Sequence, residues 1–356
     1  MKYNVVTVAR TDWEPATKNA YCFLGGVARA CSLRGFNTSD IYRQHFVRST
    51  VESTIHTKDP SFFVACGHGN ETTLAGHFNE PVFVSCSNDH LLATRVVHLL
   101  SCLTAKTLGK TIIGKGGAAF IGYSEEFVFL NVSGVAVEDK YAWGFMFADT
   151  MNGNTPLICG GTVRDAYNLI KSSFDKYIEW WSTQEDDPYA SEVIKWMIWD
   201  RDCLQLYGDP DVRITNKPYI PFPTDIVTPD KSNHFRLIVR VLSPSNTPLQ
   251  NVSVEVKIGE TTISKNTDEN GCVILEVPNQ DITVSIPGLT SWEDGSKDNP
   301  RTISAYPSMY AGDIILVAYV GEVIGQVLYS SVNFFILLFI IVLIRACIRI
   351  LKQKTI

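Results

Sequence analysis

The chain of 356 residues is 45% apolar and 19% charged, a composition that argues against disorder and leaves room for two soluble domains. Its net charge of -6, with no dense Lys/Arg stretch, argues against nucleic acid as a partner. Nine cysteines without a CxxC pair speak against a zinc ribbon or a small disulfide scaffold, and fit buried thiols in a reducing compartment.

In chain order, the apolar run Val5-Val6-Thr7-Val8-Ala9 is interrupted at Arg10, too soon for a signal-peptide core, and predicts a first strand over 4–9. Residues 18–33 follow with helical spacing. Apolar runs at 61–66, 96–102 and 118–123 predict further strands, a last one falls at 204–207 or 212–214, and 162–181 again has helical spacing. Such alternation is the signature of an α/β domain with a mostly parallel sheet flanked by helices, here over 1–216. Residues 72–85 read as a hairpin turning at Asn79-Glu80-Pro81. The spacing of Trp180, Trp181, Trp196 and Trp199 predicts core packing.

Pro218, Pro221, Pro223 and Pro229 mark 217–232 as an extended linker. Runs at 236–242, 252–258, 272–277 and 282–286 then alternate at period two between turn signals such as Asp268-Glu269-Asn270-Gly271, and predict an all-β sandwich over 233–310, of immunoglobulin-like or carboxypeptidase-regulatory-like type. Residues 327–344 carry no charge and approach the roughly 20 apolar residues that cross a bilayer core, which predicts a transmembrane helix over 325–346 and a basic tail over 347–356. Arg345, Arg349, Lys352 and Lys354 would hold that tail in the cytoplasm by the positive-inside rule. The lack of a signal peptide points the other way for the amino-terminal domain, so the side of the membrane stays open.

Two strand ends carry the chemistry. The apolar strand 61–66 runs into Gly67-His68-Gly69, and the strand at 96–102 ends in Leu100-Ser101-Cys102. The carboxyl ends of parallel strands are where open α/β sheets bind ligands, so both residues are delivered to the functional edge. A thiolate is the nucleophile, and a nearby imidazole favours its formation and later protonates a leaving amine. The amides of Gly69 and Cys102 are candidate donors to a tetrahedral oxyanion.

The ordered motifs Val64-Ala65-Cys66-Gly67-His68-Gly69 and Val97-His98-Leu99-Leu100-Ser101-Cys102 resemble the caspase-like (clan CD) cysteine peptidases. The downstream Gly116-Gly117-Ala118-Ala119-Phe120-Ile121-Gly122-Tyr123 and Leu206-Tyr207-Gly208-Asp209-Pro210-Asp211-Val212-Arg213-Ile214 are closest to the gingipain-like branch, and a following β-sandwich fits it. The resemblance covers roughly residues 4 to 290. It implies a cysteine endopeptidase with Cys102 as nucleophile and His68 as acid/base, cutting after one side chain held in a pocket. Leu100 and Ser101 would line that pocket, although several caspase-like groups carry a polar residue where this chain has Leu100. Asp12 is a candidate selector of a basic residue, and reads equally well as a helix N-cap. Glu125, Glu126, Asp200 and Asp202 are further acidic candidates.

No cofactor or metal is expected. Gly109-Lys110-Thr111-Ile112-Ile113-Gly114-Lys115 matches most of a phosphate-binding loop, but Gly116 replaces the Ser/Thr that would hold magnesium. Cys66, His68, His77, Cys86 and His90 lack compact zinc-ligand spacing. The sequon at Asn70 would place a glycan beside His68, which favours an unglycosylated chain. The expected partners are a peptide or protein substrate and a membrane. Two other functions stay open: a catalytically silent membrane scaffold or sensor of the same fold, and a transpeptidase sharing the acyl-enzyme.

Overall fold

The computed structural model describes residues 2–132, 134, 137–231, 233–306 and 312–321. Its first unit runs β1 (Lys2–Arg10), α1 (Pro15–Leu33), β2 (Asn37–Tyr42), α2 (Arg48–Lys58), β3 (Pro60–Cys66), β4 (Gly69–Asn70), β5 (Thr73–Ala75), β6 (Pro81–Val84), β7 (Val96–Leu100), α3 (Leu108–Gly114) and β8 (Ala119–Tyr123). It continues through α4 (Lys140–Met146), α5 (Gly153–Ile158), α6 (Val163–Ser182), α7 (Ala190–Cys203) and β9 (Leu204–Gly208). Six strands form one sheet in the order β2-β1-β3-β7-β8-β9. All neighbours are parallel except β8 and β9, which are antiparallel. The last strand is therefore the 204–208 alternative, at an edge.

β3 and β7 are buried at every residue, as expected of parallel strands covered on both faces. One face, with Phe62, Val64 and Ile121, packs on α1 and α4 to α7; the other, with Phe63, Val97 and Phe120, packs on α2 and α3. β4, β5 and β6 form a small antiparallel sheet, so the predicted hairpin is real and gains a third strand. Gly109 and Gly114 lie within α3, a helix rather than a phosphate-cradling loop.

The second unit comprises β10 (His234–Leu242), β11 (Ser253–Ile258), β12 (Thr261–Asn266), β13 (Cys272–Pro278), β14 (Ile282–Ser285), β15 (Leu289–Trp292), β16 (Arg301–Ile303) and β17 (Asp313–Val320). They form two four-stranded sheets, β13-β10-β17-β15 and β12-β11-β14-β16. Leu237, Val239, Ile314 and Leu316 face the sandwich interior, while Ile238, Leu242, Ile315 and Val317 join the core of the first unit. The expected end of the sandwich at 310 is thus too early. β17 is an inner strand paired in parallel with β10, and its run 313–320 is apolar on both faces, so it lacks the period-two signal used to find the others.

The linker is also more than a spacer. Ile220 and Val227 are buried, and the Val227 carbonyl accepts from Trp143 Nε1 and Tyr177 Oη, both at 2.7 Å. Trp181 is core as expected, whereas Trp199 is exposed. The expected membrane helix at 325–346 lies outside the described residues, and among the described residues no helix is long and apolar enough to cross a membrane. The eight described cysteines are free thiols.

Candidate active site

Register brings the two strand ends together. Cys66 of β3 pairs with Leu100 of β7, so His68 and Cys102, each two residues further on, leave the same sheet edge side by side. The order β2-β1-β3 places the point where the chain reverses its direction across the sheet at β1 and β3, and ligand crevices form there. His68, Cys102, Ser101, Leu100 and Cys66 all line one open cavity, together with Ala16, Thr17 and Ala20 of α1, Met146, Phe127 and Phe129.

The glycines around His68 serve the chain's own packing. A Cβ on Gly67 would lie 2.1 Å from the Ala75 carbonyl oxygen. One on Gly69 would lie 2.2 Å from Ser101 Oγ and 2.6 Å from the Cys102 carbonyl oxygen. All three distances are too short for a Cβ, so glycine is what lets the chain around His68 press against Ala75 and against the segment that follows β7.

His68 is held from the side of β1. Glu14 caps α1 through Thr17 N at 2.8 Å and Ala16 N at 3.1 Å, with Pro15 opening the helix, and its Oε1 lies 3.0 Å from His68 Nε2. The Trp13 ring meets the imidazole edge-on, with centroids 6.3 Å apart. Burial raises the Glu14 carboxyl, but the two helix amides and His68 outweigh it, and the group sits below its ordinary value. Glu14 is therefore an anion throughout the neutral range, oriented to stabilise an imidazolium.

Cys102 is half-buried and is followed by Leu103 at φ 62°, a left-handed conformation rare for a branched side chain and common where a site stores strain. Leu103 N donates to the Glu125 carbonyl at 3.0 Å, which ties the turn to the segment after β8. Burial pushes the Cys102 thiol up, the Phe127 amide opposes this, and Glu126 and Asp200 add to it. Among the described residues no hydrogen bond joins the Cys102 thiol to His68, although both line one cavity.

The wall carrying Phe127 is clamped from α7. Trp199 Nε1 donates to the Glu126 carbonyl at 2.9 Å, and Val128 N donates to Asp200 Oδ1 at 3.0 Å. Phe127, between these two held residues, lines the cavity. Asp200 is fully buried, and burial pushes its carboxyl well above the ordinary range.

Asp12 does not line the cavity: its carboxylate pairs with Arg43 Nε at 3.1 Å, and the helix cap it was a candidate for is Glu14. Glu125 pairs with Lys106 at 3.2 Å, and Asp202 with Arg201 at 2.9 Å. Leu100 and Ser101 do line it, and the buried Ser101 hydroxyl has no partner among the described residues. Sequence reasoning missed Trp13, Glu14, Phe127, Phe129 and Met146. Glu14-Pro15 after a strand is a helix-start signal that was there to read. Phe127, Phe129 and Met146 come from segments far along the chain.

No family model and no curated protein matches the chain. Among solved structures, it is similar to the Arg-specific cysteine proteinase gingipain R at 10% identity and a TM-score of 0.38, over 90% of this chain and 67% of that one. The complex of pro- and mature domains of the Porphyromonas gingivalis enzyme aligns at 9% identity and a TM-score of 0.40, over 90% and 69% of the two chains. A quarter of the chain, 25%, aligns with 17% of the Bacillus anthracis TIE protein at 14% identity and a TM-score of 0.20. At these TM-scores none of the likenesses decides fold or chemistry, which rest on the strand topology and the side chains: a mixed α/β layer with a largely parallel sheet, and a cysteine and a histidine at its edge.

Proposed function

We propose that the protein is a cysteine endopeptidase in which Cys102 attacks and His68 shuttles the proton. The observation that carries this reading is the pairing of Cys66 with Leu100, which sets His68 and Cys102 in one cavity at the carboxyl edge of a parallel sheet. With Nε2 of His68 facing Glu14, Nδ1 is the nitrogen left to take the Cys102 proton as the sulfur bonds to the scissile carbonyl carbon. The carbonyl oxygen becomes an oxyanion, for which the amides of Gly69 and Cys102 are the candidate donors. The imidazolium then returns its proton to the amide nitrogen, the C–N bond breaks, and the amine leaves behind a thioester. Water, deprotonated by His68, cleaves the thioester and restores the thiol.

A raised thiol and no resting bond to His68 favour a second reading, a catalytically silent scaffold of the same fold. A transpeptidase differs from the hydrolase only in letting an amine intercept the thioester. Anchoring through 325–346, with the substrate a peptide or protein, completes the proposal. The test is hydrolysis of a mixed peptide library by the full chain, with thiol-directed peptide electrophiles as labels. Cys102→Ala should remove both cleavage and labelling, a loss of about a thousandfold or more. Cleavage that survives in this variant refutes the assignment, an inert wild type with an unlabelled Cys102 favours the scaffold, and an amine-trapped product identifies the transpeptidase.

A further inference from the structure

Resting on the reading of Cys102 as nucleophile, we infer that the acyl side of the scissile bond carries an apolar side chain of the Leu, Met or Phe class, received by Leu100, Phe127, Phe129 and Met146. Attack by Cys102 Sγ with the amine leaving past His68 puts the residue that owns the scissile carbonyl against the cavity shared by those two groups. Leu100 closes β7 and Cys102 follows it in the turn, and both line the same cavity. The four named side chains and Ala16 and Ala20 make that side apolar.

A basic side chain finds no counter-charge there. Among the described residues no carboxylate lines the cavity. Asp12 is committed to Arg43, Glu14 to the α1 amides and His68, and Asp200 is buried behind the wall with its oxygen on Val128 N. Outside the Cys102 and His68 pair, the unpartnered polar group in the lining among the described residues is the Ser101 hydroxyl, and a single neutral hydrogen bond does not offset the hydration that an ammonium or guanidinium would lose. The aromatic pair is held in place from outside by the Trp199 and Asp200 bonds to residues 126 and 128, so the shape of the subsite does not wait for substrate.

The experiment uses the full chain and a matched set of peptidyl acyloxymethyl ketones that differ only in the residue next to the electrophile. The rate of Cys102 labelling is read by intact mass, with iodoacetamide as the sequence-blind control. Leu, Met or Phe should label faster than Lys or Arg by about a hundredfold. Leu100→Asp should raise the Lys and Arg reagents relative to Leu by about tenfold or more, and Phe127→Ala, a milder change, should move the optimum toward larger side chains. Labelling led by Lys or Arg, or an order that is flat across the set, overturns the inference and leaves the peptidase reading standing. No labelling by any ketone, while iodoacetamide still reaches Cys102, removes the peptidase reading and this inference with it.

Discussion

The six-stranded sheet and the β13-β10-β17-β15 sheet are both covered on two faces, yet they handle polar groups in opposite ways. In the first, β1, β3 and β7 point the same way, so whatever follows each strand gathers at one edge: Trp13 and Glu14, then His68, then Ser101 and Cys102. In the second, neighbours run in both directions and the charges lie inside the strands. Arg236 of β10 and Asp313 of β17 are register partners, joined by two bonds of 2.7 and 2.8 Å. Arg236 also donates to Asn152 Oδ1 at 2.8 Å, and Thr155 Oγ1 donates to Asp313 at 2.6 Å. A parallel sheet collects reactive groups where they remain accessible, while in the sandwich the buried Arg236 and Asp313 neutralise each other and fasten it to the first unit.

That contrast can be broken by substitution. Arg236→Ala leaves the Asp313 carboxylate buried and unpaired, and should cost about 3–5 kcal/mol of stability. A urea titration of the full chain measures this, and the Cys102 labelling rate of the folded fraction should not change. A loss below about 1 kcal/mol would mean that the ion pair is not fastening the two units.

Glu14→Gln should do the reverse. Gln keeps one oxygen, for one of the two α1 amides that Glu14 holds on separate oxygens, so stability should fall by about 1 kcal/mol, while turnover falls about 10- to 100-fold as the imidazolium loses its anion. Turnover unchanged in Glu14→Gln would make Glu14 a helix cap alone.

The smallest effect belongs to His98, which sits on β7 but inside the core, between Asp149 at 3.2 Å and Asn154 at 3.2 Å. Burial disfavours its charge, yet Asp149 outweighs burial and the imidazole is raised above its ordinary value. A folded pKa above the unfolded one contributes stability that is fully present below about pH 6.5 and lost as pH rises through the folded value. Urea midpoints taken from about pH 6 to about pH 8 should therefore decline. His98→Gln should flatten that slope without changing the rate of Cys102 labelling.

The main elements were legible where local pattern is strong. The helices at 18–33 and 162–181 appear as α1 and α6, and the strands at 61–66 and 96–102 appear as β3 and β7. β2, α2 and α7 were not read, because the exposed face of β2 and the weakly segregated faces of the two helices blur their periods. β17 failed for the opposite reason, being apolar on every face.

At the candidate site, the sequence by itself determined that a histidine and a cysteine each follow a buried strand, and that glycines bracket the histidine. These are properties of neighbours along the chain: a run of apolar residues, a break, a reactive side chain. Only the tertiary structure decided that Cys66 stands beside Leu100, that Asp12 turns to Arg43, that Glu14 reaches His68, and that Phe127 and Phe129 line the cavity. Each of these depends on strand register or on a contact across the chain, and neither leaves a mark in local periodicity.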